Sequence, residues 1–288
     1  MEATKRPFPN VGITHPGVFH ADDVFAAAFL RCINPECEIK RQRIESPEIV
    51  TYPENVIIFD VGGGEFDHHT KDTQEWRDSE AKRYPYASFG KVVRAYWPYL
   101  MQDERVMKIF DSMLVQGIDA HDCGAFGVIP NTLALAISAF NPNWNEARSV
   151  DDAFEDAVAM ATVVIKNFIR KAEAMVVSED EVSAALNRRN SGERFIVLDH
   201  YVNYNAYLKD TPVDWVIYPS MRGGFQLYSV LRDGKNSDLL PEDFQEELRK
   251  REDTIFVHPI GFTATFTTLD AAIRAARERS EAAGEAQT

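Results

Sequence analysis

Cysteine is scarce, with Cys32, Cys37 and Cys123 the three in 288 residues. So few thiols exclude a disulfide framework, and Cys32 and Cys37 lack the two-residue spacing of a zinc knuckle. The expectation is reduced thiols in a cytoplasmic protein. Long apolar runs are missing too, so nothing in the sequence is expected to enter a membrane. The first ten residues carry no apolar stretch and only two cations, Lys5 and Arg6, which argues against a secretory signal or a mitochondrial presequence. Positive charge is in deficit, 31 Lys plus Arg against 45 Asp plus Glu, for a formal net charge of −14. That excludes the basic footprint of a long-duplex binder, although a metal or a few arginines reverse the sign at one site. Internal repeats and low-complexity linkers are absent. What remains is ordinary: 45% hydrophobic and 26% charged residues, enough for one large or two medium domains.

Short apolar runs alternate with helical segments, the pattern of an α/β protein with a mostly parallel sheet. Residues 11–15 read as a strand ended by His15-Pro16-Gly17, and Asp22 or Asp23 then caps a helix to about Cys32. Residues 38–44 and 56–61 read as strands, the second a continuous apolar run stopped by Gly62, Gly63 and Gly64. Residues 87–97, 104–117, 150–175 and 179–189 read as helices. The texture changes near Asn190-Ser191-Gly192. Beyond it, 195–199, 214–218, 225–231 and 254–258 are strand-like, Arg222-Gly223-Gly224 suits a hairpin turn, and 269–279 reads as a closing helix. The expected boundary gives a domain of residues 1–190, connector helices included, and a smaller α+β domain of residues 191–288.

Seven histidines are few enough to weigh one by one. His15 and His20 lie at the end of the first strand and in the loop after it, with Asp22 and Asp23 next. Asp60 ends an apolar strand, and Asp67-His68-His69 follows past a glycine-rich turn. Asp119-Ala120-His121-Asp122 follows a helix and Gly117. Imidazoles and carboxylates thus gather beyond strand ends, the edge where open α/β sheets bind ligands. Such donors suit Mn²⁺, Mg²⁺, Fe²⁺, Co²⁺ or Zn²⁺, and the lack of thiolate favours a hard or borderline ion. A metal pair needs a bridging carboxylate, and Asp60, at a rigid strand end, is the natural one. Plainer readings exist for each residue: a helix cap for Asp22, a turn histidine at His15, an Asx turn at Asp60, a neutralising partner of His121 at Asp119. They weaken jointly, because four separate segments repeat the pattern.

These residues also carry a resemblance. Asp67-His68-His69, preceded by Val56-Ile57-Ile58-Phe59-Asp60-Val61-Gly62-Gly63, resembles the DHH phosphoesterase superfamily, which includes RecJ-type nucleases and family II inorganic pyrophosphatases. Thr14-His15-Pro16-Gly17-Val18-Phe19-His20-Ala21-Asp22 resembles, more specifically, the MYG exonuclease family. Asp119 to Gly124 and Phe256-Val257-His258-Pro259-Ile260-Gly261-Phe262 are similar to two further motifs of that family. The four matches fall in the right order across nearly the whole chain. The resemblance implies a DHH-type parallel-sheet domain with helices on both faces, plus the smaller C-terminal domain. It implies that His15 and His20 with Asp60 hold one metal, and Asp22, His68 and Asp119 with Asp60 a second. Asp67 would orient an imidazole, His69 would face the substrate phosphate, and Asp122 is an alternate to Asp119. The sequence departs from the family at Asp23, where glutamate is usual, at Cys123, where asparagine is usual, and at Thr263-Ala264-Thr265, which replaces a glycine-rich stretch.

The implied activity is a phosphodiester hydrolase, a 3′→5′ exonuclease on RNA or short oligonucleotides, working with two divalent cations. Mn²⁺ is expected, with Mg²⁺ also compatible by ligand type. The expected chemistry is attack by a water that the metal pair acidifies. Arg222 and Arg232 are candidate phosphate clamps through their planar forks. His258 and Gly261 are candidate contacts to a phosphate or base. Tyr201, Tyr204 and Tyr207 are open to base stacking or a core role, and His121 is a less favoured general acid. The expected partner is a short single-stranded RNA, an oligonucleotide or a nucleotide; a homodimer stays open. Two alternatives stand beside this: a small-molecule phosphatase or pyrophosphatase on the same site, and a non-catalytic metal-binding protein.

Overall fold

Parallel pairing sets the first part of the chain. Strand β1 (Val11–Thr14) pairs in parallel with β2 (Glu38–Arg41) on one side and β3 (Val56–Ile58) on the other. Parallel neighbours need a crossover, and α1 (Ala21–Ile33) supplies the first. The computed structural model describes residues 6–44, 52–73, 75–77, 84–125 and 132–285. The chain divides into two units, residues 1–173 and 174–288.

Every residue of α1 from Ala21 to Leu30 is buried. Past Asp22 and Asp23 the buried stretch is apolar, as a helix inside a core must be. Phe25 and Phe29 meet Phe89 of α2 (Ser88–Tyr96) at centroid distances of 5.4 and 6.4 Å. Phe29 also stacks on Phe110 of α3 (Glu104–Phe110) at 6.3 Å. Each buried ring contributes roughly 1.5–3 kcal/mol. The cap differs from expectation: His20 is the N-cap, and Asp22 and Asp23 lie within the first turn. Asp23 works from inside, its Oδ1 accepting the His20 N–H at 2.9 Å.

The helix expected to stop at Gly117 continues. After α3 comes a π turn (Asp111–Val115), then α4 (Gln116–Asp122), with the Gln116 N–H reaching the Asp111 carbonyl. A helical glycine costs only about 1 kcal/mol, and buried Leu114, Val115 and Ile118 hold the rod in place. Helix α5 (Leu133–Ser138) follows. The two helices expected over 150–189 are one, α6 (Val150–Arg188). Ser178 does not interrupt it, because its hydroxyl donates back to the Ala174 carbonyl at 2.8 Å. The unit boundary falls within α6.

The second unit holds a five-stranded mixed sheet. Its strands are β4 (Phe195–Val197), β5 (Trp215–Pro219), β6 (Phe225–Ser229), β9 (Thr254–Val257) and β10 (Thr263–Phe266), in the order β4-β5-β6-β10-β9. Only β4 and β5 run parallel among these pairs. A two-stranded ribbon, β7 (Leu231–Arg232) and β8 (Lys235–Asn236), stands apart. Helices α7 (Asn205–Leu208), α8 (Glu242–Lys250) and α9 (Leu269–Glu285) complete it. Strand alternation feeds two cores. Trp215, Ile217, Leu227 and Phe266 pack with Ala272 and Ala276 of α9. Val216 and Tyr218 pack with Val182 and Ala185 of α6. The β5–β6 turn falls at Gly223 and Gly224, with φ of +95° and +71°, where it was expected. Strand β10 is not signalled by its Thr-Ala-Thr sequence; paired neighbours on both sides bury it. Among the described residues no helix is long and apolar enough to cross a membrane.

Gly261 shows one close approach. Its φ is +83°, and a Cβ there would collide with the Leu240 carbonyl oxygen, whose own N–H donates to the Gly261 carbonyl at 2.9 Å. Gly261→Ala is therefore expected to lose about 2 kcal/mol or more, read as a lower urea midpoint; an unchanged midpoint would refute the close-approach role.

Candidate metal centre

The ends of β1 and β3 lie side by side, and each is followed by a ligand-type residue, His15 and Asp60. Past β3 the chain turns sharply. Asp60 takes a left-handed φ of +56°, a region that aspartate tolerates better than most residues, and its N–H donates to the Phe66 carbonyl at 3.1 Å. The loop is closed by Asp67, whose Oδ2 accepts the Gly63 N–H at 2.7 Å. Its Oδ1 accepts the His69 N–H at 3.0 Å and lies 2.8 Å from His69 Nδ1. Buried Lys91 of α2 clamps the same loop from below, donating to the Asp67 carbonyl at 2.7 Å and the Glu65 carbonyl at 3.2 Å.

The side chains converge on Asp60. Its Oδ2 lies 3.3 Å from His15 Nε2, which is also 3.4 Å from Asp23 Oδ2. Its Oδ1 lies 3.2 Å from His68 Nε2 and accepts the Ser88 hydroxyl at 3.0 Å. The same His68 nitrogen is 3.1 Å from Asp122 Oδ2 and 3.6 Å from Asp22 Oδ2. His20 gathers with Asp22 and Asp122. His15 Nδ1 sits 3.2 Å from the Pro16 carbonyl, which directs Nε2 at the carboxylates.

Among the described residues four overlapping groups of possible ligands result: Asp60-His68-His69, His68-Asp122-Cys123, His15-Asp23-Asp60 and His20-Asp22-Asp122, each with donor atoms within 4.8 Å of one another. Both oxygens of Asp22, Oδ2 of Asp23 and Nε2 of His68 are buried without a hydrogen-bond partner. Such atoms cost about 1–3 kcal/mol each when left so. Unpartnered carboxylate oxygens beside imidazoles are what a divalent cation requires, so the donor set fits one.

The electrostatics agree. Burial, then the neighbouring Asp60, Asp122 and Asp23, pushes the Asp22 carboxyl far up. Burial and Asp60 push Asp23 up to about 7. Burial works against ionising Asp60 too, but the imidazoles of His15 and His68 hold it well below the usual carboxylate range. Asp60 raises His15 to about 9. Burial opposes charge on His68, yet Asp122 and Asp60 bring it up to about 12. Protons on imidazoles thus supply positive charge that a cation would replace.

The family model MYG1_exonuc, described as an uncharacterised protein family (UPF0160), matches residues 11–279. The chain belongs to the MYG1 family. The MYG1 protein C694.04c of Schizosaccharomyces pombe is 25% identical over 92% of this chain and 95% of its own length. The MYG1 exonuclease of Rattus norvegicus is 24% identical over 93% of this chain and 84% of its own. For the MYG1 exonuclease of Homo sapiens the identity is 23%, over 93% and 85%. No solved structure matches.

Not every residue expected from the MYG resemblance lies in the cluster. His15, His20, Asp22, Asp60 and His68 do. Asp119 does not. It is buried and bonds to the Arg77 guanidinium and, at 3.1 Å, the Gly90 N–H. Arg77 in turn grips Asp111 at 2.8 and 2.9 Å and lies over the Tyr86 ring. Asp122, one helical turn on, stands beside His68 instead. Asp23 and Asp122 both stand in the cluster; read from the sequence alone, Asp122 is left open as an alternate to Asp119 and Asp23 is not counted among the ligands. The signals were there: Asp23 three residues after His20, and Asp122 three after Asp119 on one helix.

The expected substrate residues of the second unit are mixed. Arg222 is exposed in the β5–β6 turn. Arg232 is instead committed to its own unit, bonding to Asp214 at 2.9 Å and to the carbonyls of Thr211 and Val213 at 2.8 and 2.6 Å. His258 packs on Phe262 at 4.1 Å, and its Nδ1 accepts the Ile260 N–H at 3.2 Å. Gly261 is buried at the close approach described above. Tyr204 is core, while Tyr201 is exposed and meets Tyr218 edge-on at 5.4 Å; Tyr207 donates to the Met175 carbonyl at 2.8 Å.

Two outcomes follow from the cluster. His15, raised to about 9, gives stability that is present below its ordinary value of 6.5 and lost as pH rises through 9. Asp23, raised from its ordinary 3.8 to about 7, likewise loses its contribution as pH rises between those two values. Metal-free protein should therefore weaken between about pH 6 and pH 9 while cations, freed from proton competition, bind more tightly. The gain in Tm on adding Mn²⁺ should widen over that range; an equal gain at both ends would separate these groups from the cation. Asp22→Asn should raise the stability of chelator-treated protein by about 1–3 kcal/mol and shrink the Mn²⁺-induced gain, both read by thermal unfolding.

Proposed function

We propose that this chain is a metal-dependent phosphodiester hydrolase, a 3′→5′ exonuclease on RNA or short oligonucleotides. A DHH-type catalytic domain of residues 1–190 and a substrate-binding domain of residues 191–288 would carry it. The relatives from Rattus norvegicus and Homo sapiens bear the name exonuclease. The observation that carries the reading is the sharing of Asp60, one oxygen toward His15 and the other toward His68. A carboxylate so shared is the bridge a two-metal phosphoryl site needs. Free thiols at Cys32, Cys37 and Cys123 fit a reducing compartment, the cytoplasm.

His15, Asp23 and Asp60 would hold one cation. Asp22, His68 and Asp122, with the other oxygen of Asp60, would hold a second, and His20 stands beside Asp22 and Asp122. Mn²⁺ and Mg²⁺ both suit these donors. When bound, the cations neutralise charge growing on the phosphoryl oxygens and acidify an attacking water. The chain's own residues do the rest. Asp119 acts as a positioning residue, tying α4 to Arg77 and to the N-terminal turn of α2. Asp67 engages His69 at Nδ1 and raises its pKa, which orients the ring and leaves its other nitrogen available to a phosphoryl or leaving oxygen. The His69 side chain is 58% exposed, as a group that meets substrate must be. Arg222 and His258 are the substrate contacts proposed from the second unit.

The test is a labelled short RNA, a short DNA and pyrophosphate, each with Mn²⁺, Mg²⁺ or chelator. Nucleoside monophosphates released from RNA only with metal are expected. Phosphate from pyrophosphate alone would replace the reading with a pyrophosphatase, and Mn²⁺ uptake without hydrolysis would point to a non-catalytic protein. Asp60→Asn and His68→Ala should each lower turnover by about 10³-fold with an unchanged far-UV CD spectrum; wild-type turnover in either removes that residue from the site.

A further inference from the structure

Beside the cluster the first unit opens inward. A shallow cleft of about 240 Å³ is lined by His20, Asp122, His121 and Ala134. A second cavity of about 400 Å³ is also lined by His121 and Ala134, so the two are neighbours there. The larger cavity is apolar. Met113 and Leu114 of the π turn, Ile118 of α4, Leu133 of α5 and Phe168 of α6 form its walls. Its polar groups are few, chiefly the His121 imidazole at the junction and Thr132. An apolar chamber of this volume with one or two polar groups at its mouth has the build of a small-molecule site. None of its walls belongs to the metal ligands.

We propose that this cavity receives the nucleobase of the nucleotide whose phosphate lies at the Asp60 cluster. The inference rests on the phosphodiester reading above and adds to it a base pocket within the first unit. Three features favour a base as occupant. The cavity shares His121 and Ala134 with the carboxylate–imidazole cleft, so a ligand that occupied both would bear a phosphate on one side and an apolar body on the other. A heterocycle buries two flat apolar faces while its polar edge still needs a partner. His121, on the rim shared by both spaces, supplies that partner as donor or acceptor. Aliphatic and aromatic walls without a matching set of polar groups grip the ring and read its edge sparsely, so the pocket should accept several bases.

Gly117 offers the test. It lies on α4 at the cavity wall, its φ is helical, and a Cβ there would meet nothing within 4 Å. A longer side chain at Gly117 therefore enters the cavity without disturbing the helix, and leucine is the better helix former. Binding of AMP, ribose 5-phosphate and hexyl phosphate would be measured by calorimetry on Mn²⁺-loaded wild type, Gly117→Leu and Gly117→Met. Wild type should bind AMP about tenfold or more tightly than ribose 5-phosphate and more tightly than hexyl phosphate. Both variants should lose that preference while keeping ribose 5-phosphate affinity, Mn²⁺ uptake and melting temperature. Equal affinity of wild type for AMP and ribose 5-phosphate overturns the proposal, as does a preference that survives both folded variants. Hexyl phosphate binding as well as AMP marks the cavity as merely greasy and also overturns it. An intact AMP preference without RNA hydrolysis would sink the nuclease reading alone; no binding of any phosphate would sink both.

Discussion

Four aspartates and four histidines pressed into one partly buried space make a repulsion that the polypeptide alone does not resolve. Asp22 has neither oxygen hydrogen-bonded and no exposure to water. Carboxylates in such a position raise one another's pKa and depend on nearby positive charge. The surrounding fold is arranged to keep them there. Parallel β1 and β3 bring their ends together, α1 is fixed by burial on all sides, and α4 presents Asp122 from across the space. Removing any one of these elements would let the acids move apart to water. Acids held so in a packed core cost stability rather than add to it, and the groups they form could hold a metal ion.

A layer of groups behind the cluster holds it in register. Lys91 ties the Glu65–Asp67 backbone, Ser88 fixes one oxygen of Asp60, and Arg77 joins Asp111 to Asp119. Buried ion pairs of this kind are weak evidence for stability, because desolvation offsets their attraction. Their better justification is geometric: Asp119 and Asp122 share one short helix, so fixing the first orients the second. The absence of room for any side chain at Gly90, where a Cβ would collide with Asp119, makes that contact dependent on a glycine.

The sequence made the centre of this arrangement legible and left its edges obscure. His15, Asp60 and His68 stand out because strands end abruptly in Pro-Gly or multiple glycines, and a polar residue there is conspicuous against an apolar run. Asp23 and Asp122 were harder, since their roles depend on helical phase. Ending a helix at Gly117 hides the fact that Asp119 and Asp122 are one turn apart on a continuous rod. Arg77, 42 residues before Asp119, carries no pattern that could announce the pairing. In the second unit, Arg232 looks like any arginine beside a strand, and only the folded chain brings Asp214 and two carbonyls to it. Strand β10 is recognised by its neighbours rather than by its own composition, and α6 is continuous because Ser178 satisfies itself within the helix.

The π turn before α4 has one more implication. Such a turn is an α-helix that has absorbed one surplus residue as a local bulge, leaving the rod beyond it in phase. Residues 111–115 therefore act as slack in the chain. A homologue lacking one position in this stretch could straighten to an ordinary helix and still aim its Asp122 counterpart at the same imidazole. Alignments that open a single-residue gap between Phe110 and Gln116 would thus record tolerance of length there, with the site beyond it unaltered.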